Sequence, residues 1–294
     1  MATRCGFVAV VGRPNVGKST LINAIMGRKI SIVTNKPQTT RHRILAVHSD
    51  KHTQIIFVDT PGIHRKADRA MNRLMNRTAV SALADADLVL FVCDATRWTD
   101  EDDDVLRRLS TVKAPIIGLL NKVDRVRPKE RLFAKLAELS TRRDFAEIYP
   151  LSAMKKTNLA ELMTAIPALL PESPFLFPCE MQTDRGVEFQ AAEVIREKLT
   201  QMLHQEIPYG LTVQIERYAT TDEQVTIDAV IWVERDSQKG IVVGKGGQVL
   251  KTVGQSARLE LCEQLQRRVH LELWVKVKEN WSDSEQDLMR LGYE

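Results

Sequence analysis

The chain has 294 residues, which is long enough for two globular domains. Hydrophobic residues make up 44% and charged residues 27%, as in an ordinary soluble protein, and no apolar run could span a bilayer. The net charge of +4 permits a nucleic-acid partner without indicating one. The first residues lack the basic-then-apolar order of a signal peptide, so we expect a cytoplasmic protein. The four cysteines show no metal-ligand spacing.

The first motif is a glycine-rich loop between a predicted strand and a predicted helix. Residues 12–19 read GRPNVGKS, which matches the phosphate-loop pattern in full, after the apolar run 7–11 and before the helical stretch 20–26. Backbone N–H groups in such a loop face a β-phosphate. Lys18 would reach the β- and γ-phosphates, and Ser19 would offer its hydroxyl to Mg²⁺. A plain glycine-rich turn is the alternative, and the strand–loop–helix context argues against it.

A second phosphate motif follows a loop and two strands. Residues 34–41 are polar and aperiodic, which predicts a loop, and residues 44–48 and 54–58 predict strands. The sequence DTPG at 59–62 ends the second strand. A carboxylate there can hold Mg²⁺ through water, and the Gly62 N–H can meet a γ-phosphate. The pattern is weak alone and gains weight after a phosphate loop.

The next stretch alternates helices with buried strands. Residues 64–84 predict a helix after an irregular start, and 88–93 and 116–120 are continuous apolar runs that predict strands buried on both faces. The acidic run 100–104 predicts a solvated helix start, where negative charge suits the positive end of the dipole. This alternation predicts an α/β domain with a doubly wound, mostly parallel sheet and the ligand at the carboxyl edge of its strands.

The tetrapeptide NKVD predicts that the base is guanine. The Asp124 carboxylate can accept from N1–H and from the exocyclic amine of guanine, a donor pair that adenine lacks. Asn121 and Lys122 would brace the pocket and cover the ring. Ser152 and Ala153 follow the last predicted strand, where backbone N–H groups can meet the guanine O6.

A proline-rich segment separates the two predicted domains. Four prolines lie between residues 166 and 178, and they favour an extended, semi-rigid path over a helix. We therefore predict a first domain at 1–171, a linker at 172–182 and a second domain at 183–294.

The second domain predicts a helix, two strands, a helix-loop-helix and a last strand. The helix covers 187–205, the strands cover 211–218, 225–234 and 269–277, and a further helix covers 249–265. Between them lies a GKGG tetrapeptide that matches the GxxG loop of KH domains, where glycines admit a nucleic-acid backbone and a basic residue neutralises phosphate. The loop is weak alone, but this α+β setting resembles a type II KH domain. The predicted RNA-contacting residues are Ile241, Gly244, Lys245, Gly246, Gly247 and Lys251, and a merely solvated basic surface is the alternative.

These motifs in this order resemble the translation-factor-like branch of P-loop GTPases, and the likeness is closest to the bacterial Era family. A GTPase domain followed by a KH domain matches that family over almost the whole chain. The resemblance implies GTP hydrolysis with Mg²⁺ and binding of single-stranded small-subunit ribosomal RNA near its 3′ end. It also implies a role in 30S subunit assembly and rRNA maturation, and it admits peripheral contact with the inner membrane. We expect no stable oligomer.

The same resemblance assigns roles to individual residues. Thr40 would be the switch residue whose hydroxyl joins Mg²⁺ in the triphosphate state, with its neighbour Thr39 as the alternative. The predicted metal ligands are Ser19, Thr40 and Asp59, and the predicted catalytic residues are Lys18, Thr40 and Gly62. The predicted nucleotide-contacting residues are Gly12, Arg13, Pro14, Asn15, Val16, Gly17, Lys18, Ser19, Thr20, Asp59, Thr60, Pro61, Gly62, Ile63, Asn121, Lys122, Val123, Asp124, Ser152 and Ala153.

Two positions bear on the rate of hydrolysis. Ile63 stands where many GTPases place a glutamine that orients the attacking water, and an isoleucine can neither donate nor accept a hydrogen bond. Intrinsic turnover should therefore be slow unless another group supplies that orientation. Asn15 offers one route, because in GTPases that this chain resembles a phosphate-loop asparagine helps to ligate K⁺; the alternative is that it only stabilises the turn.

Two rival functions stay open at the level of sequence. One is an RNA-binding assembly factor whose nucleotide site has negligible turnover, which the residue at position 63 favours. The other is a GTPase whose second domain docks a protein or a membrane instead of RNA. Salt-dependent binding to single-stranded RNA would separate the second rival from the RNA-binding hypothesis.

Overall fold

A computed structural model describes residues 2–62, 69–203 and 207–293. The chain divides into two compact units. The first unit holds the described residues within 1–31, 40–68 and 72–184, and the second holds those within 32–39, 69–71 and 185–294. In the three described ranges, no helix combines the length and the apolar character needed to cross a membrane.

The first unit is built on a six-stranded sheet with the strand order β2-β3-β1-β4-β5-β6. Its strands are β1 (Arg4–Val11), β2 (Ile44–Ser49), β3 (Thr53–Asp59), β4 (Leu88–Asp94), β5 (Ile116–Asn121) and β6 (Glu147–Pro150). The β2–β3 pair is antiparallel and the other neighbouring strands are parallel. The predicted α/β fold with a mostly parallel sheet is therefore confirmed.

Helices cover both faces of this sheet, because its central strands are apolar on both sides. They are α1 (Lys18–Met26), α2 (Ala70–Ala84), α3 (Asp100–Leu109), α4 (Arg131–Arg142) and α5 (Leu159–Leu169). All seven residues of β3 and all six of β5 are buried, as expected for interior parallel strands. Since β1, β3 and β5 run in the same direction, the segments that follow them emerge at one edge of the sheet.

The proline-rich segment departs from the sequence prediction at its start. We expected an extended path from residue 166, but α5 continues through Pro167 to its end. A proline costs a helix most in its interior, and Pro167 lies in the last turn. The carbonyl groups at the end of the helix, which have no donor within it, accept from the guanidinium of Arg4, with Nη1 at 2.6 Å from the Leu170 oxygen and 3.3 Å from that of Ala168.

The second unit contains a three-stranded sheet with the order β7-β8-β9. Its elements are α6 (Val187–Met202), β7 (Leu211–Thr220), β8 (Gln224–Val233), α7 (Asp236–Val243), α8 (Gln248–Leu265), β9 (Arg268–Val277) and α9 (Glu285–Arg290). The β7–β8 pair is antiparallel and the β8–β9 pair is parallel. The predicted α+β order of a type II KH domain is confirmed.

Alternation along β8 explains why this sheet has one core face. Five alternate residues of the strand are buried in a cluster that also contains buried side chains of α6 and α8, namely Val225, Ile227, Ala229, Ile231 and Val233 from the strand, Ile195 and Leu199 from α6, and Val253 and Ala257 from α8. Burying each of the valine, isoleucine and leucine side chains in this list stabilises the fold by about 1.5 to 3 kcal/mol. This core fixes where α7 ends and α8 begins, and the GKGG loop lies between them.

Candidate functional site

Lys18 folds back over the phosphate loop from the first residue of α1. Its Nζ donates to the carbonyl oxygen of Gly12 at 3.0 Å and to that of Arg13 at 3.2 Å. Desolvation by burial lowers the pKa of Lys18 to about 8, although the Asp59 carboxylate acts in the opposite direction. A desolvated ammonium gains stabilisation from any anion brought beside it. The loop is therefore suited to receive a phosphate.

Three oxygen-bearing side chains from separate segments converge beside the loop. The hydroxyl of Ser19 donates to Oδ2 of Asp59 at 2.9 Å and lies 2.9 Å from Oγ1 of Thr40. Because Ser19 has a single hydroxyl proton and gives it to Asp59, Thr40 is the donor of the second bond. Thr40 and Asp59 are buried. The three residues predicted as metal ligands thus share one site.

The neighbouring threonine faces a different way. Oγ1 of Thr39 donates to the carbonyl oxygen of Lys36 at 2.7 Å and lies 2.6 Å from Oγ1 of Thr34. Its hydroxyl is used within its own loop. Of the two threonines that the sequence left open, Thr40 is the one that contacts Ser19, the residue that donates to Asp59.

The donor set around Asp59 fits a divalent cation of the Mg²⁺ type. Two hydroxyls and a carboxylate are hard oxygen donors, which Mg²⁺ prefers. Within the described residues, Oδ1 of Asp59 is buried without a hydrogen-bond partner. Burial raises the pKa of Asp59, outweighing the nearby Ser31 hydroxyl, the charge of Lys18 and the hydrogen bond from Ser19, which lower it. A buried carboxylate with an unpartnered oxygen is stabilised by a nearby cation.

Gly62 packs directly against the phosphate loop. A Cβ atom at this position would lie 2.8 Å from Cγ of Pro14 and 3.1 Å from its backbone nitrogen, closer than such atoms approach in proteins. The close approach therefore requires glycine. It brings the backbone after β3 next to the loop after β1. The next predicted contact, Ile63, lies outside the described residues.

Asn121 joins the predicted base motif to the phosphate loop. Its Nδ2 donates to the carbonyl oxygen of Val16 at 2.8 Å, and its Oδ1 accepts from the backbone N–H of Ala153 at 3.0 Å. The side chain is 2% exposed. One amide therefore fixes three loops, those that follow β1, β5 and β6, which is the bracing role that the sequence predicts.

The side chains of Asp124 and Lys122 are held by different partners. Oδ1 of Asp124 accepts from the hydroxyl of Ser152 at 2.6 Å, which holds an otherwise exposed carboxylate in place. Nζ of Lys122 donates to the carbonyl oxygen of Asn15 at 2.6 Å and to Oδ2 of Asp94 at 2.8 Å. Val123 follows in a short 3₁₀ turn. The motif thus presents one anchored carboxylate beside one anchored ammonium.

Two predicted contact residues use their side chains elsewhere. Nε of Arg13 donates to Oδ2 of Asp102 at 2.9 Å, and Oγ1 of Thr60 donates to the carbonyl oxygen of Val10 at 3.0 Å. Asp102 is fully buried and also accepts from the backbone N–H of Thr99, so it is not part of a solvated helix start as the sequence predicted. Its partner is an arginine distant in sequence, which periodicity cannot reveal.

Sequence reasoning missed Asp94 and Asp102, because neither belongs to a phosphate or base motif. Asp94 ends β4, beside β1 and β5 in the sheet. Desolvation would raise the pKa of Asp94, but hydrogen bonds from Lys122 and Thr96 lower it. The available signal was position, since a carboxylate at the carboxyl end of a central strand lies at the ligand edge.

The GKGG loop stands open to solvent between α7 and α8. Gly246 has φ +59° and Gly247 has φ +77°, and added Cβ atoms there would meet nothing within 4 Å. Gly247 is the N-cap residue of α8, so unpaired N–H groups lie beside the loop. Ile241, at the end of α7, is 51% exposed, whereas Val242 is buried in the core. An extended backbone can therefore approach the loop closely.

Basic side chains near this loop fall into two groups. Lys245 and Lys251 are exposed. Lys276 pairs with Glu216 at 2.8 Å, and Lys278 pairs with Asp287 at 2.7 Å. Lys245 in the loop and Lys251 just after it therefore offer exposed positive charge to a polyanion.

Comparison with known proteins agrees with this geometry. A family described as 50S ribosome-binding GTPase matches residues 7–122, and a KH domain family matches residues 206–282. "GTPase Era" of Marinobacter nauticus is 49% identical over 290 residues, which cover 99% of this chain and 95% of that protein. The chain belongs to the Era family of GTPases.

Further Era relatives match over their whole length. "GTPase Era" of Coxiella burnetii is 48% identical over 292 residues, covering 99% of both proteins. A crystal structure of Era in complex with MgGDPNP and nucleotides 1506–1542 of 16S ribosomal RNA superposes with a TM-score of 0.95 at 38% identity, covering 99% of each chain. The chain is therefore an Era-family GTPase with a KH domain.

Proposed function

We propose that this Era-family GTPase is a nucleotide-dependent switch that binds single-stranded small-subunit ribosomal RNA near its 3′ end. The role would be in 30S subunit assembly and rRNA maturation. One observation carries the switch: beside the phosphate loop, the hydroxyl of Thr40 contacts that of Ser19, which also donates to Asp59. The RNA specificity is supported by the 38% identical relative whose crystal structure contains MgGDPNP and 16S rRNA nucleotides.

In the proposed nucleotide site, the backbone N–H groups of the phosphate loop and Lys18 bind the β- and γ-phosphates. Ser19 and, in the triphosphate state, Thr40 would hold Mg²⁺, with Asp59 acting through water. When bound, this ion would supply positive charge that offsets the negative charge developing on the phosphates. The Gly62 N–H would donate to the γ-phosphate. Hydrolysis then depends on positioning and electrostatics rather than on a general base.

In the proposed RNA site, the GKGG loop and the amino end of α8 clamp the sugar-phosphate backbone. Gly244, Gly246 and Gly247 admit the strand, Lys245 and Lys251 neutralise phosphates, and the exposed Ile241 contacts a base. The observation that supports this is the open space around Gly246 and Gly247, whereas a Cβ atom at Gly244 would lie 2.5 Å from Cγ2 of Val249. Binding of this kind weakens steeply as salt rises.

The test is GTP hydrolysis by the full chain with and without single-stranded RNA that matches the 3′ end of small-subunit ribosomal RNA. We expect this RNA to increase the rate, whereas a scrambled RNA of equal length should not. Lys18→Ala is the blank, because without that ammonium the phosphates lose their main cationic partner. An RNA that binds without changing the rate would contradict the coupled switch and leave two independent activities.

Asn15 is the proposed K⁺ ligand. The residue has φ +63°, and its carbonyl oxygen accepts from Lys122, so the backbone there is fixed at the rim of the phosphate loop. We expect faster hydrolysis in KCl than in NaCl at equal ionic strength. Asn15→Gly tolerates the same backbone conformation and should remove that difference while keeping GTP binding. Equal rates in the two salts for the unmodified protein would exclude a K⁺ role.

Peripheral contact with the inner membrane is the part of the proposal that rests on the family resemblance alone. Flotation of the full chain with vesicles of anionic phospholipid, with GDP or MgGDPNP, tests it. Recovery with the vesicles in either nucleotide state supports contact, and recovery only in the lipid-free fraction contradicts it.

A further inference from the structure

The second unit includes a segment that belongs to the nucleotide switch by sequence. Residues 32–39 immediately precede Thr40, yet they pack within the unit that carries the KH fold. Their partners there are on α6, the helix that opens that fold. Three residues of α6, Glu193, Arg196 and Glu197, are buried although they are charged. Charged residues are seldom buried unless they are paired, so the partners of these three residues indicate their role.

The guanidinium of Arg196 binds two groups, the Glu193 carboxylate and the Thr39 carbonyl oxygen. Nε donates to Oε1 of Glu193 at 2.6 Å and Nη2 donates to Oε2 at 2.7 Å, a two-point ion pair. Nη2 also donates to the backbone carbonyl oxygen of Thr39. Burial alone would lower the pKa of Arg196, but the Glu193 carboxylate raises it, so the group remains a cation.

Glu197 and Leu203, the residue that follows α6, contact the beginning and the middle of the same segment. Oε1 of Glu197 accepts from the backbone N–H of Val33 at 2.9 Å. Nζ of Lys36 donates to the carbonyl oxygen of Leu203. The segment is therefore held near both ends through backbone atoms, those of Val33 and Thr39, and in its middle through the side chain of Lys36. Contacts to backbone atoms restrain the path of the chain whatever the side chains of the segment are.

The contact between Arg196 and the Thr39 carbonyl oxygen lies one residue from the proposed metal ligand Thr40. Consecutive Cα atoms are about 3.8 Å apart across a trans peptide, and the Thr39 carbonyl belongs to the peptide plane that ends at the Thr40 nitrogen. Holding that carbonyl oxygen therefore restricts the orientation of the Thr40 backbone. A buried ion pair stabilises a fold less than apolar packing of the same volume would. Stability alone thus does not explain an arginine here.

The beginning of α2 is held in the same unit in a similar way. Oδ1 of Asp283 accepts from the backbone N–H of Ala70 at 2.8 Å, and Arg69 pairs with Glu234 at 3.7 Å. Residues 69–71 follow the DTPG motif in sequence, and residues 32–39 precede Thr40. Both segments belong to the second unit. Both segments that border the proposed γ-phosphate site in sequence are therefore attached by carboxylates and cations of the KH-containing unit.

We infer that Arg196 and Glu197 are positioning residues for Thr40, through which the KH-containing unit favours the triphosphate-bound state of the GTPase. The inference rests on the proposed role of Thr40 as a Mg²⁺ ligand. Because Thr40 would bind the ion only in the triphosphate state, loosening residues 32–39 weakens MgGDPNP binding and spares GDP. A residue that serves only the fold would change both affinities or neither.

The test compares nucleotide affinities of full-length variants with fluorescent MgGDPNP and fluorescent GDP. Arg196→Lys keeps the charge but cannot bridge Glu193 and Thr39 together, and Glu197→Ala removes the acceptor of the Val33 N–H. We expect each to weaken MgGDPNP about five- to tenfold, the usual worth of one or two hydrogen bonds, and to change GDP less than twofold. Glu197→Gln keeps an acceptor oxygen and should restore near-normal selectivity.

Thr40→Ala distinguishes failure of this inference from failure of the proposed function. If Thr40→Ala loses MgGDPNP selectively while Arg196→Lys and Glu197→Ala leave both affinities unchanged, the positioning role is wrong and the metal role stands. If Thr40→Ala shows no selectivity for the triphosphate, the metal role itself is wrong. Thermal unfolding of each variant identifies a misfolded protein, and Glu197→Gln then provides the folded comparison. Equal losses of both nucleotides in folded variants would overturn the inference.

Discussion

Asp94 anchors the lysine of the guanine motif, so its substitution should weaken both nucleotides alike. Lys122 bridges this carboxylate and the phosphate loop, and both side chains are mostly buried. In Asp94→Asn the ammonium loses its charged partner, which costs about 1 kcal/mol, or about fivefold in affinity. Titration with fluorescent GDP and GTP measures this. Asp85→Asn removes a carboxylate from an exposed position and should change nothing.

The direction of the Asp94 pKa shift predicts the pH range of this effect. Hydrogen bonds from Lys122 and Thr96 hold the pKa of Asp94 below its ordinary value, despite desolvation. A lowered folded-state pKa gives stabilisation that is present above the unfolded pKa of about 4 and is lost as the pH falls through the folded value. The loss caused by Asp94→Asn should therefore be constant between about pH 6 and pH 8. A loss that varies over that range would point to another titrating group.

Asp124→Asn should change which base is bound. Ser152 donates to one oxygen of Asp124, and an asparagine oxygen can accept the same bond. The amide nitrogen would then face the base as a donor, which suits the O2 of xanthine and opposes the amine of guanine. We expect GDP to bind about a hundredfold more weakly, since two charge-assisted hydrogen bonds are lost, and xanthosine diphosphate to bind better. Unchanged selectivity in a competition assay would contradict the assignment.

Motif residues could be predicted from sequence, whereas the residues that support them could not. Lys18, Asn121 and Asp124 stand in short patterns whose spacing follows from the ligand, so each pattern carries its own chemistry. Asp102 accepts from Arg13, which lies 89 residues away, and Arg196 donates to Thr39, which lies 157 residues away. Such pairings exist only after the chain has folded.

At the scale of elements, the GKGG loop offers a test that separates charge from backbone strain. Gly246 has φ +59°, a conformation that asparagine and aspartate tolerate better than other residues, and space around it is open. Gly246→Asp should therefore weaken RNA binding about tenfold by repelling phosphates, whereas Gly246→Asn controls for the backbone and should lose much less. Filter binding at several salt concentrations measures both. Equal losses in the two variants would exclude an electrostatic clamp.

The boundaries of helices and strands could be predicted from the sequence where a single effect, such as burial, determined them. Interior strands such as β4 and β5 were predictable because burial on both faces demands a continuous apolar run. The end of α5 was not, because proline signals usually end a helix and here the distant Arg4 satisfies the terminal carbonyls. The carbonyl groups at a helix end can thus be satisfied by a residue remote in sequence, which local rules do not show.

At the scale of the whole molecule, the chain itself connects the nucleotide site with the KH-containing unit. The second unit holds residues 32–39, and the first holds Thr40. One peptide bond therefore separates a contact of Arg196 from the proposed Mg²⁺ ligand. In the proposed switch, the ordering of this one backbone segment links nucleotide binding to the KH-containing unit.

This connection predicts a reciprocal effect between RNA and nucleotide. If MgGDPNP raises the affinity for 3′-end RNA by some factor relative to GDP, then RNA must raise the preference for MgGDPNP over GDP by the same factor. We expect a factor of about five or more, measured by titrating labelled RNA in each nucleotide state and fluorescent nucleotides with saturating RNA. Arg196→Lys should bring both factors towards one together. Two factors equal to one in the unmodified protein would mean that the units bind their ligands independently, and the backbone segment would then serve the fold alone.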